Sequence, residues 1–280
     1  MNSNKKNNKE LGIKRVYTAK QKKYIKTNRI LLVVAAVLFI TGVVLILIEP
    51  IKNYKRKSII NNAVTDIKSQ IAIDATVGSD ATVPQFTMIV DRDANPANGE
   101  DYDYFGDDAQ QEEQRRMMEE ALANLPQDVT LNCIGLIQIE SVGIEEPIWD
   151  NDTVVDLRYG TGHHQTSVMP GEDGNCTILG HRMRSTGTIF NRLNEVVIGD
   201  SIVITTIDGS VFVYTVDNIM VIDPVNLEDY IDADDGEGTQ ITLVTCEYTD
   251  AGKMRLIIVG HMTECTYSQA YINSLGEEEN

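Results

Sequence analysis

From Cys133 onward the chain reads as strands. Runs of β-branched and apolar residues occupy 134–139, 145–149, 176–180, 201–207, 210–216, 219–222, 240–245 and 254–259. Clusters of Gly, Asp, Asn and Thr separate them, the pattern of short strands joined by turns. Asp208-Gly209, between two of these runs, is a two-residue hairpin signal, because both residue types tolerate the left-handed backbone such a turn needs. Eight short strands with this punctuation predict a closed barrel or a sandwich. The expected fold class is therefore mainly β.

Upstream the period changes. Residues 30–48 carry no charge and lie between Arg29 and Glu49. At about 1.5 Å per residue such a helix spans roughly 28 Å, close to the ~30 Å of a bilayer's hydrocarbon core. Glu49-Pro50-Ile51-Lys52 follows instead of a small-residue cleavage site, so the segment is expected to stay as an anchor. Residues 58–73 place Ile59, Ile60, Ala63, Val64, Ile67 and Ile71 at helical spacing. Residues 74–108 lose periodicity and end in an acidic patch at 101–108; they read as a linker, since the patch lacks the ligand spacing of a calcium loop. A second helix is predicted over 110–125, with Met117, Met118, Ala121, Leu122 and Leu125 on a core-packing face and Pro126 ending it. The order is a basic tail (1–29), an apolar anchor (30–48), a helical and acidic connecting region (49–130), a β domain (131–264) and a polar acidic tail (265–280).

Charge adds an orientation. Seven Lys and Arg fall within twenty residues before the apolar run and five within twenty after it, which favours a cytoplasmic N-terminus by a narrow margin. The first 29 residues hold ten Lys and Arg against one acid, whereas the whole chain carries −18. A basic tail suits an anionic inner leaflet and a long acidic domain suits export into water. Such a domain is a poor binder of nucleic acid, because phosphate contacts need clustered Lys and Arg. Cys133, Cys176, Cys246 and Cys265 could form bridges outside the cell. A chain of this length buries a core without staples, so all four are read as free thiols.

One of these thiols stands out. Cys246 ends the run at 240–245, and Arg255 stands near the start of the next run, so a thiol at one strand's end faces a guanidinium on its neighbour. Arginine stays protonated and cannot be the base. It can favour the thiolate or donate to a developing oxyanion. The base must come from His163, His164, His181 or His261. His163 and His164 fall in a Gly- and Thr-rich segment read as a flexible loop, a poor platform for catalysis. His261 lies about 20 Å along the strand from Arg255. His181 follows the run at 176–180 and is the expected base; Arg182 and Arg184 are placed on an exposed turn after it.

Leu179-Gly180-His181-Arg182, Thr242-Leu243-Val244-Thr245-Cys246 and Arg255-Leu256-Ile257-Ile258-Val259, in this order, resemble the sortase family of cysteine transpeptidases. The resemblance runs from about residue 131 to 263. It implies an eight-stranded sortase-like β-barrel with short helices, preceded by an N-terminal transmembrane helix and a helical linker segment. It implies Cys246 as nucleophile, His181 as acid and base, Arg255 as oxyanion donor, and Leu243 and Thr245 as residues shaping the substrate pocket. The activity implied is cleavage between Thr and Gly of a Leu-Pro-x-Thr-Gly-like sorting signal. The acyl group is held as a thioester and passed to an amine of a peptidoglycan precursor or a pilin. The implied partners are surface proteins bearing that signal, an amine acceptor and the membrane. The implied location is the cell membrane of a Gram-positive cell, single-pass, with the catalytic domain outside.

No cofactor is expected. Glu172, Asp173, Glu228 and Asp229 fall where some sortases place calcium ligands, but acids are common throughout the chain. Residues 264–280 are polar and no Asp-Pro-aromatic lid precedes Cys133. The resemblance therefore leans toward a class D-like or housekeeping enzyme over a pilin-polymerising one. A cysteine peptidase that only hydrolyses, and a silent surface-binding barrel, are the alternatives.

Overall fold

A computed structural model of the chain describes residues 18–74, 85–94, 108–183, 188–231, 233, 236–250 and 252–277. The basic tail up to residue 17, nearly all of the acidic patch, Arg184 and the last three residues lie outside the described residues. The chain divides after Lys52 into two compact units. The first holds the N-terminal part of helix α1 (Ala19–Asp74). Ala19–Val44 within it is long and apolar enough to cross a membrane, and none of its apolar window is buried. The helix predicted over 58–73 is not separate: it is the C-terminal part of α1, which runs through Pro50 without ending.

The second unit, Asn53–Asn280, is built on strands. In chain order these are β1 (Phe86–Asp91), β2 (Asp128–Ile139), β3 (Ile144–Trp149), β4 (Thr161–His163), β5 (Gly174–Leu179), β6 (Arg182–Met183), β7 (Thr188–Ile189), β8 (Ser201–Thr206), β9 (Val211–Ile222), β10 (Thr239–Thr249) and β11 (Gly252–Thr266). Helix α2 (Asp108–Asn124) precedes β2, the short helices α3 (Val154–Leu157) and α4 (Glu228–Ile231) fill connections, and α5 (Gln269–Glu277) follows β11. The sheet runs β2-β3-β4-β5-β10-β11-β9-β8 and returns from β8 to β2, a ring of eight strands, with β1 outside it on β2 and β6 pairing β7 as a separate hairpin. The mainly β class and the eight-stranded barrel are both present.

β2 makes the closure possible. Its first half pairs with β1 and its second half with β8, and a register shift between Cys133 and Gly135 marks the change of partner. Gly135 sits at the seam, where a Cβ would come within 2.4 Å of the Thr205 carbonyl oxygen. No larger residue lets the two backbones approach this closely.

The strand count agrees with expectation for a compensating reason. Residues 210–216 and 219–222, read as two strands, are one continuous β9. The missing member of the ring is β4, in the segment read as a flexible loop. A three-residue Thr-Gly-His strand is too short to show alternation and is held by its neighbours. The linker reading fails at residues 86–91, which form β1, and the polar tail contains α5.

Trp149, Tyr159, Phe190, Tyr214 and Ile178 are fully buried in one core. Ile60, Val64 and Ile67 of α1 join the same cluster, on the face their spacing predicts. Each such buried side chain contributes about 1.5–3 kcal/mol, so the C-terminal part of α1 adds to the domain's stability. On α2 the expected core face is only partly used: Leu122 and Leu125 pack on the core, while Met117 is exposed.

Candidate active site

β10 lies between β5, to which it is parallel, and β11, to which it is antiparallel. In the antiparallel register Cys246 is directly opposite Arg255. Such pairs share a face with Cβ atoms about 4.5–5.5 Å apart. In the parallel register Leu179 is level with Val244. Two residues further on, His181 is therefore level with Cys246. Three bonds carry the register past the end of β5. The Gly180 N–H donates to the Val244 carbonyl at 3.0 Å, the Thr245 hydroxyl donates to the Gly180 carbonyl at 2.6 Å, and Arg182 Nη1 donates to the Glu247 carboxylate.

Imidazole, thiol and guanidinium thus stand in a row across three strands. Their residues are 8 %, 6 % and 5 % exposed, and all three line one cavity of about 230 Å³. Burial pulls the Arg255 guanidinium below its ordinary value, against the raising influence of Cys246, Tyr248 and Asp223. It still donates as a cation. Two further thiols are buried. Burial pushes Cys133 up to about 12, and Cys176 is raised further, by burial and then by Glu172, so neither ionises near neutral pH. All four cysteines are free, and Cys265 is exposed.

The segment carrying His181 is fixed from several sides. Gly180 is required because a Cβ would come within 2.6 Å of Phe190 Cδ2. Phe190 in turn donates its N–H to the His181 carbonyl at 3.1 Å. Ile189 has φ of 57°, a left-handed conformation that costs a β-branched residue energy. Its N–H donates to Glu146 Oε1 at 2.6 Å. The Glu146 carboxyl is buried, and burial pushes it up to about 7 against that hydrogen bond. A buried carboxyl on β3 therefore pins the return of the loop that begins at His181.

Arg182 departs from expectation. It is not on an exposed turn: its side chain is 9 % exposed and paired with Glu247, itself 16 % exposed. Each partner directly follows a member of the row, so the pair clasps the two strand ends together. No local pattern predicts the pairing, because nothing along the chain marks the parallel register of β5 and β10. Arg182→Ala leaves Glu247 nearly buried without its counter-charge and is expected to cost about 3 kcal/mol of stability. Urea unfolding measures this; a cost below 1 kcal/mol would reduce the pair to an ordinary surface contact.

The remaining histidines are occupied elsewhere. His163 is buried in β4 with Nε2 2.9 Å from the Val168 carbonyl, in an ordered strand where a flexible loop is expected. His164 Nδ1 lies 2.7 Å from Asp152 Oδ2, and His261 Nδ1 lies 2.5 Å from Asp217 Oδ2. Of the supporting residues, Thr245 lines the cavity, but Leu243 is fully buried in the core and does not; Val244 is there instead. Asp152, Leu227 and Met118 also line it, and sequence reasoning missed all three. Met118 is expected from its spacing to pack on the core and instead lines this cavity. Among the described residues no group of three or more His, Cys, Asp or Glu is placed to hold a metal ion.

Residues 137–263 match the family model of the sortase domain. A crystal structure of sortase C1 from Streptococcus agalactiae is 31% identical over 47% of this chain and 68% of that one, with a TM-score of 0.43. The chain belongs to the sortase family. Sortase D of Bacillus subtilis (strain 168) is 29% identical over 129 residues, 45% of this chain. The chain spans 62% of that curated relative's length. A Clostridium perfringens sortase D5 transpeptidase is 29% identical over 54% of this chain and 89% of its own, with a TM-score of 0.42. The cavity holding His181, Cys246 and Arg255 thus lies within a sortase domain.

Proposed function

We propose that this sortase is a membrane-anchored cysteine transpeptidase. Its substrate is a Leu-Pro-x-Thr-Gly-like sorting signal on a surface protein, and its acceptor is an amine of the cell wall or a pilin. The row His181, Cys246 and Arg255 across β5, β10 and β11, opening on one cavity, is the observation that carries this reading. A free thiol ionises near pH 8.5, so only a few per cent is thiolate at neutral pH. His181 takes the proton or pairs with the thiolate, and Cys246 Sγ attacks the Thr carbonyl. Arg255 donates to the oxyanion, a contribution of about 3 kcal/mol for one such donor. His181 then protonates the leaving Gly amine, leaving a thioester on Cys246. An incoming amine attacks that thioester, a new amide forms and the thiol is released.

A peptide carrying Leu-Pro-Glu-Thr-Gly, incubated with triglycine, tests the reaction class. Transpeptidation yields the Thr-triglycine amide by mass spectrometry. Release of the free Thr carboxylate alone, at every triglycine concentration, makes the protein a hydrolase instead.

The apolar stretch of α1 and the preceding basic charge support an anchor with the catalytic unit outside. Exposed Cys265 offers a direct check in a Cys246→Ala background. A membrane-impermeant maleimide added to intact protoplasts is expected to label Cys265, with Cys265→Ser as the blank. Labelling that needs prior lysis reverses the topology.

A further inference from the structure

A second cavity among the described residues is larger than the one beside Cys246. It has a volume of about 440 Å³ and shares no lining residue with the cavity beside Cys246. Pro170 to Glu172 on its wall precede β5, whose other end leads to His181, and Tyr267 follows β11, whose other end carries Arg255. Arg255 and Thr266 are eleven positions apart on β11, about 36 Å of strand. A ligand in this cavity therefore cannot touch Cys246.

Its lining has a definite chemistry. Four aromatic rings, Phe86, Phe212, Tyr267 and Tyr271, supply the apolar wall, and three carboxylates, Asp150, Glu172 and Asp208, supply charge. Among the described residues that line it there is no Lys, Arg or His. Tyr267 stacks on Tyr271 with centroids 4.8 Å apart and meets the edge of Phe212 at 5.7 Å, so three of the rings form one fixed surface. The surface is preorganised by the start of α5. Ser268 accepts the Tyr271 N–H at 3.0 Å, its own N–H donates to the Ser210 hydroxyl at 3.0 Å, and its hydroxyl donates to Asp208 at 2.7 Å. The partners of Asp208 are neutral hydroxyls, of Thr206, Ser210 and Ser268. Burial pushes its carboxyl up, but these bonds outweigh burial and hold it below the usual range, so it is ionised at neutral pH. On the opposite rim the Gly171 N–H donates to the Tyr214 hydroxyl at 2.8 Å and fixes the loop that carries Glu172.

Aromatic faces and uncompensated carboxylates around an apolar concavity select a cation with an organic body. We propose that this cavity is a second binding site, for a small organic ammonium ion whose aromatic or aliphatic body lies against Phe212, Tyr267 and Tyr271 and whose charge faces Asp150, Glu172 and Asp208. The volume falls within the ordinary range of small-molecule sites. The site is independent of the transpeptidase chemistry, so either reading can fail without the other.

Three fluorinated probes of one shape separate the possibilities. The full chain in zwitterionic nanodiscs, with empty nanodiscs as blank, is titrated with 4-fluorophenethylamine, 2-(4-fluorophenyl)ethanol and 4-fluorophenylacetate, read by ¹⁹F line broadening. The amine is expected to bind at least tenfold more tightly than the alcohol, and the acetate not at all. Tyr271→Ala is expected to weaken the amine about threefold, the size of one exposed cation–π contact. Asp150→Asn weakens it several-fold, and Cys246→Ala leaves it unchanged. Asp208→Asn is a poorer first choice, since it also loosens α5. Equal binding of amine and alcohol, binding indifferent to both Tyr271→Ala and Asp150→Asn, or binding lost in Cys246→Ala each overturns the proposal.

Discussion

Cys246→Ala is expected to abolish both cleavage and transfer, a fall of about 10⁴-fold or more to assay background, while the barrel stays folded. No other thiol can take over. Cys133 and Cys176 are buried where ionisation is suppressed, and Cys265 is exposed among the last residues of β11, ten positions along that strand from Arg255. Cys265→Ser should therefore leave kcat/KM unchanged. Cys133→Ala and Cys176→Ala should lower stability through lost packing and leave kcat close to its original value. The double readout matters, because a small-to-smaller change in a core strand lowers the yield of folded enzyme without touching chemistry. Turnover that survives in Cys246→Ala, corrected for folded fraction, removes this thiol from the mechanism.

Sequence alone made the row legible because its members carry distinct chemistry, although β10 does not end at Cys246 as expected but pairs with β11 as far as Thr249. Cys246 and Arg255 lie on consecutive strands of a hairpin, where the distance along the chain fixes the pairing. His181 is different: it reaches Cys246 through a parallel pairing between β5 and β10, which no local pattern specifies. Only the placement of the other histidines and the Leu179-Gly180-His181-Arg182 motif single it out along the chain. The Arg182 clasp, the Glu146 bond to strained Ile189 and the approach of Met118 are all long-range contacts, and none has a periodic signature. The same limit explains the strands that were missed. β4 is three residues long and exists because β3 and β5 flank it, and β1 is an edge strand whose neighbours in sequence read as linker. The helices were easier where a long apolar face repeats, as from Ile60 to Ile67 of α1, and harder at α5, which is short and begins among polar residues.

Arg255→Lys separates geometry from charge. Lysine keeps the positive charge but loses the planar fork of donors that reaches an oxyanion from the side of β11. The expected fall in kcat/KM is about 10²- to 10³-fold, the loss of one oxyanion donor. The thiol should still react with iodoacetamide at close to its original rate, because the charge that favours thiolate is retained. His181→Ala should behave in the opposite sense. Turnover falls nearly to background and alkylation slows with it, since neither thiolate formation nor protonation of the leaving amine is then assisted. The two variants together make a pattern that a merely structural role cannot imitate: a misfolded site would lose alkylation and turnover in both. Near-normal turnover in Arg255→Lys would leave the arginine as a source of charge only. The oxyanion would then have to be held by a backbone N–H, for which the segment that follows His181 beside Cys246 is a source.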